Sequence, residues 1–204
     1  GDLTYINNFY AVEVEDNFLG IPVSLYLDDL VGVSIRGESS GVTAKIEKVI
    51  TSEESDRNHI TLYVSYGESG TNNAVRDFSD AENLITNSNI SFGTSFITAG
   101  EGFARTIATN ACSVGSAFRI SEGVYFLRGY LVNVDSGILI LDQYSDTPSY
   151  RVGLDVLEEI INADQDAYLN DNANGFNNYA APGADRLKIT ATLAKKGLDT
   201  FDVP

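Results

Sequence analysis

The sequence has almost none of the residues that build the commonest metal and disulfide sites. Its 204 residues include one cysteine, Cys112, and one histidine, His59. A single cysteine cannot form an internal disulfide or a thiolate zinc site, and a single histidine cannot supply a site that needs several imidazoles. Any catalytic triad would have to use His59 itself. We therefore expect a protein that is not an enzyme and has no catalytic, metal-binding or cofactor-binding residues.

Positive charge is also scarce. Lysine and arginine number 13 against 29 aspartate and glutamate residues, which makes the formal net charge −16. A surface this acidic repels phosphate backbones and anionic lipids, so we expect neither a nucleic-acid partner nor a membrane partner. No apolar run approaches the roughly 20 residues of a transmembrane helix.

Methionine is absent, and the two ends of the sequence have no features of natural termini. The start, Gly1, is not followed by the basic and apolar segments of a signal peptide. The end, residues 198–204, contains no closing element. We therefore expect the chain to be a piece of a longer polypeptide.

What the sequence does contain is a strong period of two, which is typical of half-buried strands. Residues 42–50 and 60–66 alternate between apolar and polar side chains and flank the polar segment 51–59, a pattern that predicts a hairpin with a long exposed loop. Residues 31–36 alternate as well. These alternating patterns therefore predict a small antiparallel sheet over residues 22–66.

The second half of the chain contains a strongly apolar segment. Residues 124–134 and 138–141 flank the turn signal Asp135-Ser136-Gly137, which predicts a hairpin from Val124 to Leu141. Because its apolar residues would cover both faces, we expect this hairpin to be the core of the second half. An Ile140→Asp substitution would then cost several kcal/mol, since it would bury an unpaired charge.

Two further segments complete the predicted second half. Residues 151–161 fit either a strand or a helix face, and Gly153 with the β-branched residues favours the strand. Residues 187–193 alternate clearly, and we expect the Pro182-Gly183 turn to direct this last strand onto the apolar hairpin.

The predicted fold class is all-β and mainly antiparallel, with two small β-sandwich or barrel-like parts and little helix. Residues 1–21 form a lead-in segment, residues 22–98 a first β-rich domain, and residues 99–204 a second β-rich domain that is truncated at its C-terminus. Residues 67–102 hold either two or three short strands, such as 90–92, or an irregular bridge.

Two acidic or amide-rich loops are candidate cation sites. Glu53, Glu54 and Asp56 lie together in the 51–59 loop, where a solvated hairpin tip is the favoured interpretation. Residues 170–175 place oxygen side chains at the first, third and fifth positions of a calcium-like loop, but the first is Asn170 and the twelfth is Ala181. An Asn-rich turn is favoured there, and a calcium site completed by Asp164 and Asp166 is the alternative.

Two pairs of residues are candidate catalytic groups. Glu158 and Glu159 are adjacent, so a strand would direct them to opposite faces and a helix would separate them by about 100°, and neither arrangement aims both at one bond. Cys112 and His59 have no motif that links them, and a buried, inert thiol is the favoured interpretation.

Four residues form a candidate interaction surface. Arg151 and Arg186 each follow a proline-containing turn, where an arginine either locks the corner by binding loop carbonyls or contacts a neighbouring subunit. Phe176 and Tyr179 lie beside the Asn-rich loop and are suited to stacking on a sugar ring.

Several long motifs in the second half resemble an uncharacterised domain family of tailed-bacteriophage virion proteins. They are GVYFLRGYLVNV at 123–134, ILDQYSDTPSYRVGL at 140–154, LNDNA at 169–173 and NYAAPGADRLKI at 178–189. The resemblance covers roughly residues 20–204 and is closest after residue 100. Members are usually described as tail-fibre or baseplate structural proteins.

The resemblance implies a structural component of a phage tail, located in the virion, that binds other tail or baseplate subunits. It brings no catalytic residues with it. Such parts form symmetric oligomers, and a homotrimer is favoured. The alternative is a receptor- or carbohydrate-binding module of a tail fibre, with a host surface glycan as its partner. A depolymerase is a third hypothesis and needs a carboxylate pair in a cleft.

Overall fold

The structure is a computed structural model that describes residues 2–70, 73–172, 174–177 and 179–198. Strands dominate the described chain, and short 3-10 helices occur at Val23–Leu25, Asp28–Leu30 and Ala167–Leu169. The predicted all-β class with little helix is therefore confirmed. The predictions about Gly1 and about residues 199–204 lie outside the described residues.

The strands are numbered in chain order. They are β1 Leu3–Tyr5, β2 Tyr10–Val14, β3 Asn17–Phe18, β4 Ile21–Pro22, β5 Ser34–Gly37, β6 Thr43–Ile50, β7 Ile60–Tyr66, β8 Asn83–Thr86, β9 Ile90–Phe92, β10 Ser95–Ile97, β11 Gly102–Arg105, β12 Cys112–Val114, β13 Ser116–Ile120, β14 Gly123–Leu127, β15 Tyr130–Val134, β16 Gly137–Asp142, β17 Tyr150–Ile161 and β18 Arg186–Gly197. Antiparallel pairing joins the following strands: β2 to β7 and β12, β3 to β4, β5 to β6 and β8, β6 to β7, β8 to β11, β9 to β10, and β14 to β15.

The largest sheet has seven strands in the order β11-β8-β5-β6-β7-β2-β12. A three-stranded sheet has the order β1-β13-β16, and the pairs β3-β4, β9-β10, β14-β15 and β17-β18 form two-stranded sheets. The predicted pairing of residues 42–50 with 60–66 is confirmed by β6 and β7, which are joined by the 51–59 loop. Of the two interpretations of residues 67–102, the short strands are observed, as β8, β9 and β10.

The seven-stranded sheet closes on itself. The segment after β11 continues beside β2: the Ile107 amide donates to the Glu13 carbonyl (3.1 Å), and the Glu15 amide donates to the Arg105 carbonyl (2.8 Å). An isolated antiparallel bridge joins Val14 to Thr106. Because β11 also pairs with β8, the contact between β2 and residues 105–107 closes the sheet into a barrel-like arrangement. Barrel-like parts were one of the two arrangements that the predicted fold class allowed.

The interior of this closed sheet is the main hydrophobic core. Residues Val42, Ala44 and Ile46 of one predicted strand face are all buried, as alternation required. Its other members include the following side chains from the strands and from residues 23–30, which contain the two short helices after β4: Val12, Val14, Val23, Tyr26, Leu27, Leu30, Ile35, Ile60, Leu62, Val64, Leu84 and Phe103. The buried Tyr26 hydroxyl donates to the Phe103 carbonyl (2.6 Å), so its polar end is satisfied inside the core.

The chain divides into two compact units. The large unit comprises Thr4–Phe118 and Ile140–Tyr150, and the small unit comprises the described residues of Gly1–Leu3, Arg119–Leu139 and Arg151–Pro204. This grouping differs from the predicted division at residues 22 and 99. The difference arises because β2, from the predicted lead-in, and β11, from beyond residue 99, are both strands of the closed sheet.

The predicted hairpin from Val124 to Leu141 is wrong in its pairing. β14 pairs with β15, and Leu127 lies opposite Tyr130, so the turn is Arg128-Gly129 rather than residues 135–137. Arg128 and Gly129 have φ of 48° and 93°, the left-handed backbone that a two-residue hairpin turn requires. β16 instead belongs to the three-stranded sheet.

The last strands follow the sequence pattern more closely. β17 confirms the strand interpretation of residues 151–161, and β18 confirms the final strand. β18 contacts β15, as expected of a strand that covers the hairpin. The Pro182-Gly183 corner, however, is held to a different segment, since the Gly183 amide donates to the Leu169 carbonyl (3.0 Å).

Candidate functional site

The β14-β15 hairpin of the small unit has one buried face and one exposed face. Val132 and Val134 are 6% and 4% exposed and form the inner face. The register places Phe126 opposite Leu131, and residues two apart on a strand share a face. Val124, Phe126 and Leu131 therefore form the outer face, which we call the hairpin face.

The hairpin face is strongly exposed. Val124 is 57% exposed, Phe126 is 72% exposed and Leu131 is 76% exposed. Burying a side chain of this kind stabilises a protein or complex by about 1.5–3 kcal/mol. Contiguous exposed apolar side chains at one place are typical of an interaction surface, whereas single exposed ones are common everywhere.

The sequence pattern predicts that these residues belong to a core, and that prediction is wrong for the hairpin face. Apolar residues at successive positions predict burial on both sides, but within the described part of the chain Val132 and Val134 are buried while Val124, Phe126 and Leu131 are exposed. Ile140, which was also expected in this core, is half-buried in β16. The composition of the hairpin is the signal that could have identified the surface, because two apolar faces need either two coverings or a partner.

The four residues predicted as an interaction surface do not form one site. Arg151, near the start of β17, lines a shallow pocket of about 170 Å³ with Asp155, Ala194 and Lys196, so the start of β17 lies beside the end of β18. Arg186 begins β18 and therefore lies at the opposite end of these paired 12-residue strands. A strand of that length extends about 40 Å.

Phe176 and Tyr179 lie in the 162–185 connection, at the same end of the strands as Arg186. They are 72% and 56% exposed, and Tyr168 in the same connection is 97% exposed. The exposed aromatic residues of this connection are Tyr168, Phe176 and Tyr179, and we call them the aromatic loop. Sequence reasoning found two of them and missed Tyr168.

The aromatic loop is held by local hydrogen bonds. The Asp166 carboxylate accepts from the Tyr168 amide (3.0 Å) and caps the short helix Ala167–Leu169. Asn170 forms a bridge with Pro182, and a Cβ added at Gly183 would lie 2.1 Å from the Leu169 carbonyl oxygen. Glycine is therefore required at this corner because the two chain segments approach too closely for any side chain.

The candidate calcium loop uses its polar groups to make turns. The Asn170 amide donates to the Ala167 carbonyl (3.2 Å), and the Asp164 amide donates to the side chain of Asn162 (3.0 Å). Over residues 2–70, 73–172, 174–177 and 179–198, no three His, Cys, Asp or Glu side chains are grouped closely enough to hold a metal ion. Position 173 of the candidate loop lies outside the described residues.

The acidic loop at 51–59 is attached to the rest of the large unit by backbone and side-chain contacts. The Glu54 carboxylate accepts from the Thr51 amide (3.1 Å), and the Asp56 amide donates to the Gln143 side chain (2.8 Å). Gln143 in turn donates to the Glu54 carbonyl (2.8 Å). Glu53, Glu54 and Asp56 remain exposed, as the solvated-loop interpretation requires.

Sequence reasoning missed an ion pair beneath this loop, in which a buried carboxylate meets a partly exposed arginine. Glu13 of β2 is 1% exposed, and Arg57 donates to its carboxylate at 2.7 Å. The Arg57 guanidinium lies 3.9 Å from the centroid of the Tyr144 ring, and the Tyr144 hydroxyl bonds with Thr61 (2.9 Å). A buried carboxylate needs such a partner, so this network positions the loop. The burial of Glu13 could not be predicted, because a polar residue in an alternating strand is expected to lie on the solvent-exposed face.

The remaining catalytic candidates have ordinary structural environments. Burial raises the pKa of Cys112 to about 11, and its thiol donates to the Phe78 carbonyl, so the thiolate needed by a nucleophile is disfavoured. His59 accepts a hydrogen bond from Thr61 through its backbone carbonyl. Glu158 pairs with Arg128 at 3.1 Å on an exposed surface.

These observations define an all-β chain with a closed sheet and an exposed apolar hairpin face. A family model described as "Domain of unknown function (DUF4815)" matches residues 61–201, and the chain belongs to this family. Neither a curated protein nor a solved structure matches the chain.

No helix among the described residues has the length and apolarity needed to cross a membrane.

Proposed function

We propose that this protein is a structural component of a bacteriophage tail, in a tail fibre or baseplate, and that it acts in subunit assembly or fibre attachment without catalysing a reaction. Its partners are other tail or baseplate subunits, and it forms a homo-oligomer, with a trimer favoured. The observation that carries this proposal is the hairpin face, whose three large apolar side chains are exposed on one side of one hairpin.

Two further observations support an assembly role. The segment 123–134, which carries one of the phage-like motifs, contains the whole hairpin face. Phe126 and Leu131 would together contribute about 3–6 kcal/mol if a partner buried them fully, which is enough to stabilise a contact within a larger interface. The acidic net charge of −16 would keep a free subunit dispersed before it docks.

Labelling of intact particles tests the location. An antibody raised against the chain should bind the tail in electron micrographs of phage whose genome encodes it. Labelling of the capsid would contradict the proposal.

A pair of matched substitutions tests the role of the hairpin face. Leu131→Asp should strongly reduce incorporation of the protein into assembled tails, because it places a charge where a partner must bury apolar surface. Leu25→Asp is the control, since Leu25 is similarly exposed, at 62%, but lies in the large unit. Equal incorporation of both variants, measured by mass spectrometry of purified particles, would remove the hairpin face from the proposal.

A receptor- or carbohydrate-binding module of a tail fibre is the second candidate, and the aromatic loop favours it. Exposed aromatic rings offer flat apolar surfaces on which sugar rings stack. A glycan array should then give specific signals that Phe176→Ala removes. Phe96→Ala, at an exposed phenylalanine of the large unit, is the control. An array without signals would eliminate this candidate.

A further inference from the structure

The 162–185 connection contains Asn174-Gly175, the only Asn-Gly pair in the sequence. Both residues are exposed. Gly175 has φ of 91°, in the left-handed region that glycine adopts readily. A Cβ added at Gly175 would have no heavy atom of the described residues within 4 Å, its two chain neighbours left aside. The surroundings of the Gly175 backbone are therefore open.

The side chain of Asn174 differs from those of other asparagines that the fold holds in place. The Asn8 amide group donates to the Tyr66 carbonyl (2.8 Å) and accepts from the Tyr66 backbone amide (3.2 Å). The Asn162 side chain accepts from the Asp164 amide (3.0 Å). Within the described part of the chain, the Asn174 side chain has no such partner. It can therefore rotate toward the next peptide nitrogen without first breaking a hydrogen bond to these residues.

We propose that Asn174 is a site of spontaneous deamidation, through which the aromatic loop acquires a carboxylate as the protein ages. Asparagine is a thermolabile residue, and its side-chain amide is lost most readily when glycine follows. The reason is steric, since glycine has no Cβ to obstruct its own backbone nitrogen. The sequence supplies this reactive pair, and the structure leaves both of its members exposed.

The reaction needs only the chain and solvent. The Gly175 backbone nitrogen gives up its proton to a solvent base and attacks Cγ of Asn174. The new N–Cγ bond closes a succinimide ring, the Cγ–Nδ2 bond breaks, and the side-chain nitrogen takes up a proton and leaves as ammonia. Water then adds to one of the two ring carbonyls and opens the ring to aspartate or isoaspartate. No group is oxidised or reduced in either step.

Conversion changes both the charge and the backbone of the loop. The product adds a negative charge to the −16 of the chain, at the second position before Phe176. Isoaspartate also lengthens the main chain by a methylene group, because the peptide bond then runs through the former side chain. The inference concerns the chemistry of this loop and does not depend on the tail assignment or on glycan binding.

Mass spectrometry of the aged protein tests the inference. The purified chain is kept folded in neutral and in mildly alkaline buffer, and trypsin then releases residues 152–186 as one peptide, since no lysine or arginine lies between Arg151 and Arg186. Fragmentation should locate the conversion at Asn174, and alkaline buffer should accelerate it because the attacking nitrogen must lose a proton. Asn162 lies in the same peptide and should keep its amide. A fresh sample digested in parallel measures any conversion during digestion.

Three variants separate the Asn-Gly pair from general ageing. Asn174→Gln should abolish conversion at this position on the same timescale, because the longer side chain closes a larger ring much less readily. Gly175→Ala should slow conversion by about tenfold or more, since the added Cβ obstructs the attacking nitrogen. Gly153→Ala is the matched control: a Cβ there also meets no described atom within 4 Å, but Val152 precedes it. This control should convert Asn174 at the parental rate.

Three results would overturn the inference. They are an amide at Asn174 that persists as long as that of Asn162, an unchanged rate in Gly175→Ala, and conversion that occurs only after the parent is unfolded in urea. Circular dichroism before and after incubation checks that the proteins stay folded. If Gly175→Ala does not, the parent decides alone, and a folded rate below about a tenth of the unfolded rate would contradict the inference.

Discussion

Glu82 shows most clearly how one acidic residue stabilises the large unit. It is 4% exposed, and its carboxylate accepts five hydrogen bonds, from the amide and hydroxyl of both Ser39 and Ser40 and from the Ser79 amide. A Cβ added at Gly37 would lie 2.3 Å from this carboxylate. The carboxylate therefore organises the turn between β5 and β6 and requires glycine beside it.

Glu82→Gln should destabilise the protein at neutral pH by about 2–3 kcal/mol. The amide keeps one acceptor oxygen but turns an NH2 group toward donors, and hydrogen bonds to a charged group are worth about 1.5–3 kcal/mol each. Chemical denaturation at pH 7 measures the loss. Ser69→Ala, at a hydroxyl that donates to the side chain of exposed Asn73, is the control and should change stability little.

The Glu82 carboxyl also predicts a pH dependence. Burial raises the pKa of Glu82, but the serine hydrogen bonds lower it by more, so its pKa lies below the ordinary value of 4.5. A group whose pKa is lower in the folded state contributes stability above its unfolded pKa and loses it as pH falls through the folded pKa. The stability difference between parent and Glu82→Gln should therefore shrink below about pH 4.5. A difference that stays constant down to pH 3 would contradict this assignment.

At the scale of elements, the β14-β15 hairpin offers two adjacent residues on opposite faces. Val132 is 6% exposed and Leu131 is 76% exposed. Val132→Asp should lower stability by several kcal/mol because it buries an unpaired carboxylate, whereas Leu131→Asp should change the Tm of the isolated chain by no more than a degree or two. Thermal unfolding followed by circular dichroism measures both.

Equal losses in these two variants would mean that the hairpin face is covered by the chain itself, as the sequence pattern suggested. The Ile140→Asp substitution belongs to a different element, since Ile140 lies half-buried in β16. It therefore reports on the three-stranded sheet and not on the hairpin.

At the scale of the whole molecule, the net charge of −16 opposes the compact state through self-repulsion. Lysine and arginine number only 13 against 29 acidic residues, so pairing each of them with one carboxylate would leave 29 − 13 = 16 acidic side chains without a cation. Added salt screens exposed like charges, while a partly buried pair such as Arg57–Glu13 is screened much less.

The Tm should accordingly rise as sodium chloride is increased from low to moderate concentration. Scanning calorimetry in equivalent series of sodium chloride and potassium chloride checks the effect, and the two salts should agree because screening depends on ionic strength. A Tm that falls with either salt would mean that surface ion pairs stabilise the fold more than self-repulsion weakens it.

Much of the strand content could be predicted from the sequence alone. Alternation in residues 42–50 and 60–66 has one physical cause, the opposite direction of successive side chains on a strand, and β6 and β7 follow it. The strand β17 could be chosen over a helix because Gly153 and β-branched residues disfavour helices.

Tertiary structure decided the rest. Closure of the sheet depends on contacts between β2 and residues 105–107, which are far apart in sequence and leave no local signal. The turn at Arg128-Gly129 escaped prediction because arginine is not a usual residue for left-handed backbone. The sequence determined that Val124, Phe126 and Leu131 are apolar. An apolar residue in a sequence does not show whether its own chain or a partner covers it. The fold decided this, because it leaves these three side chains exposed.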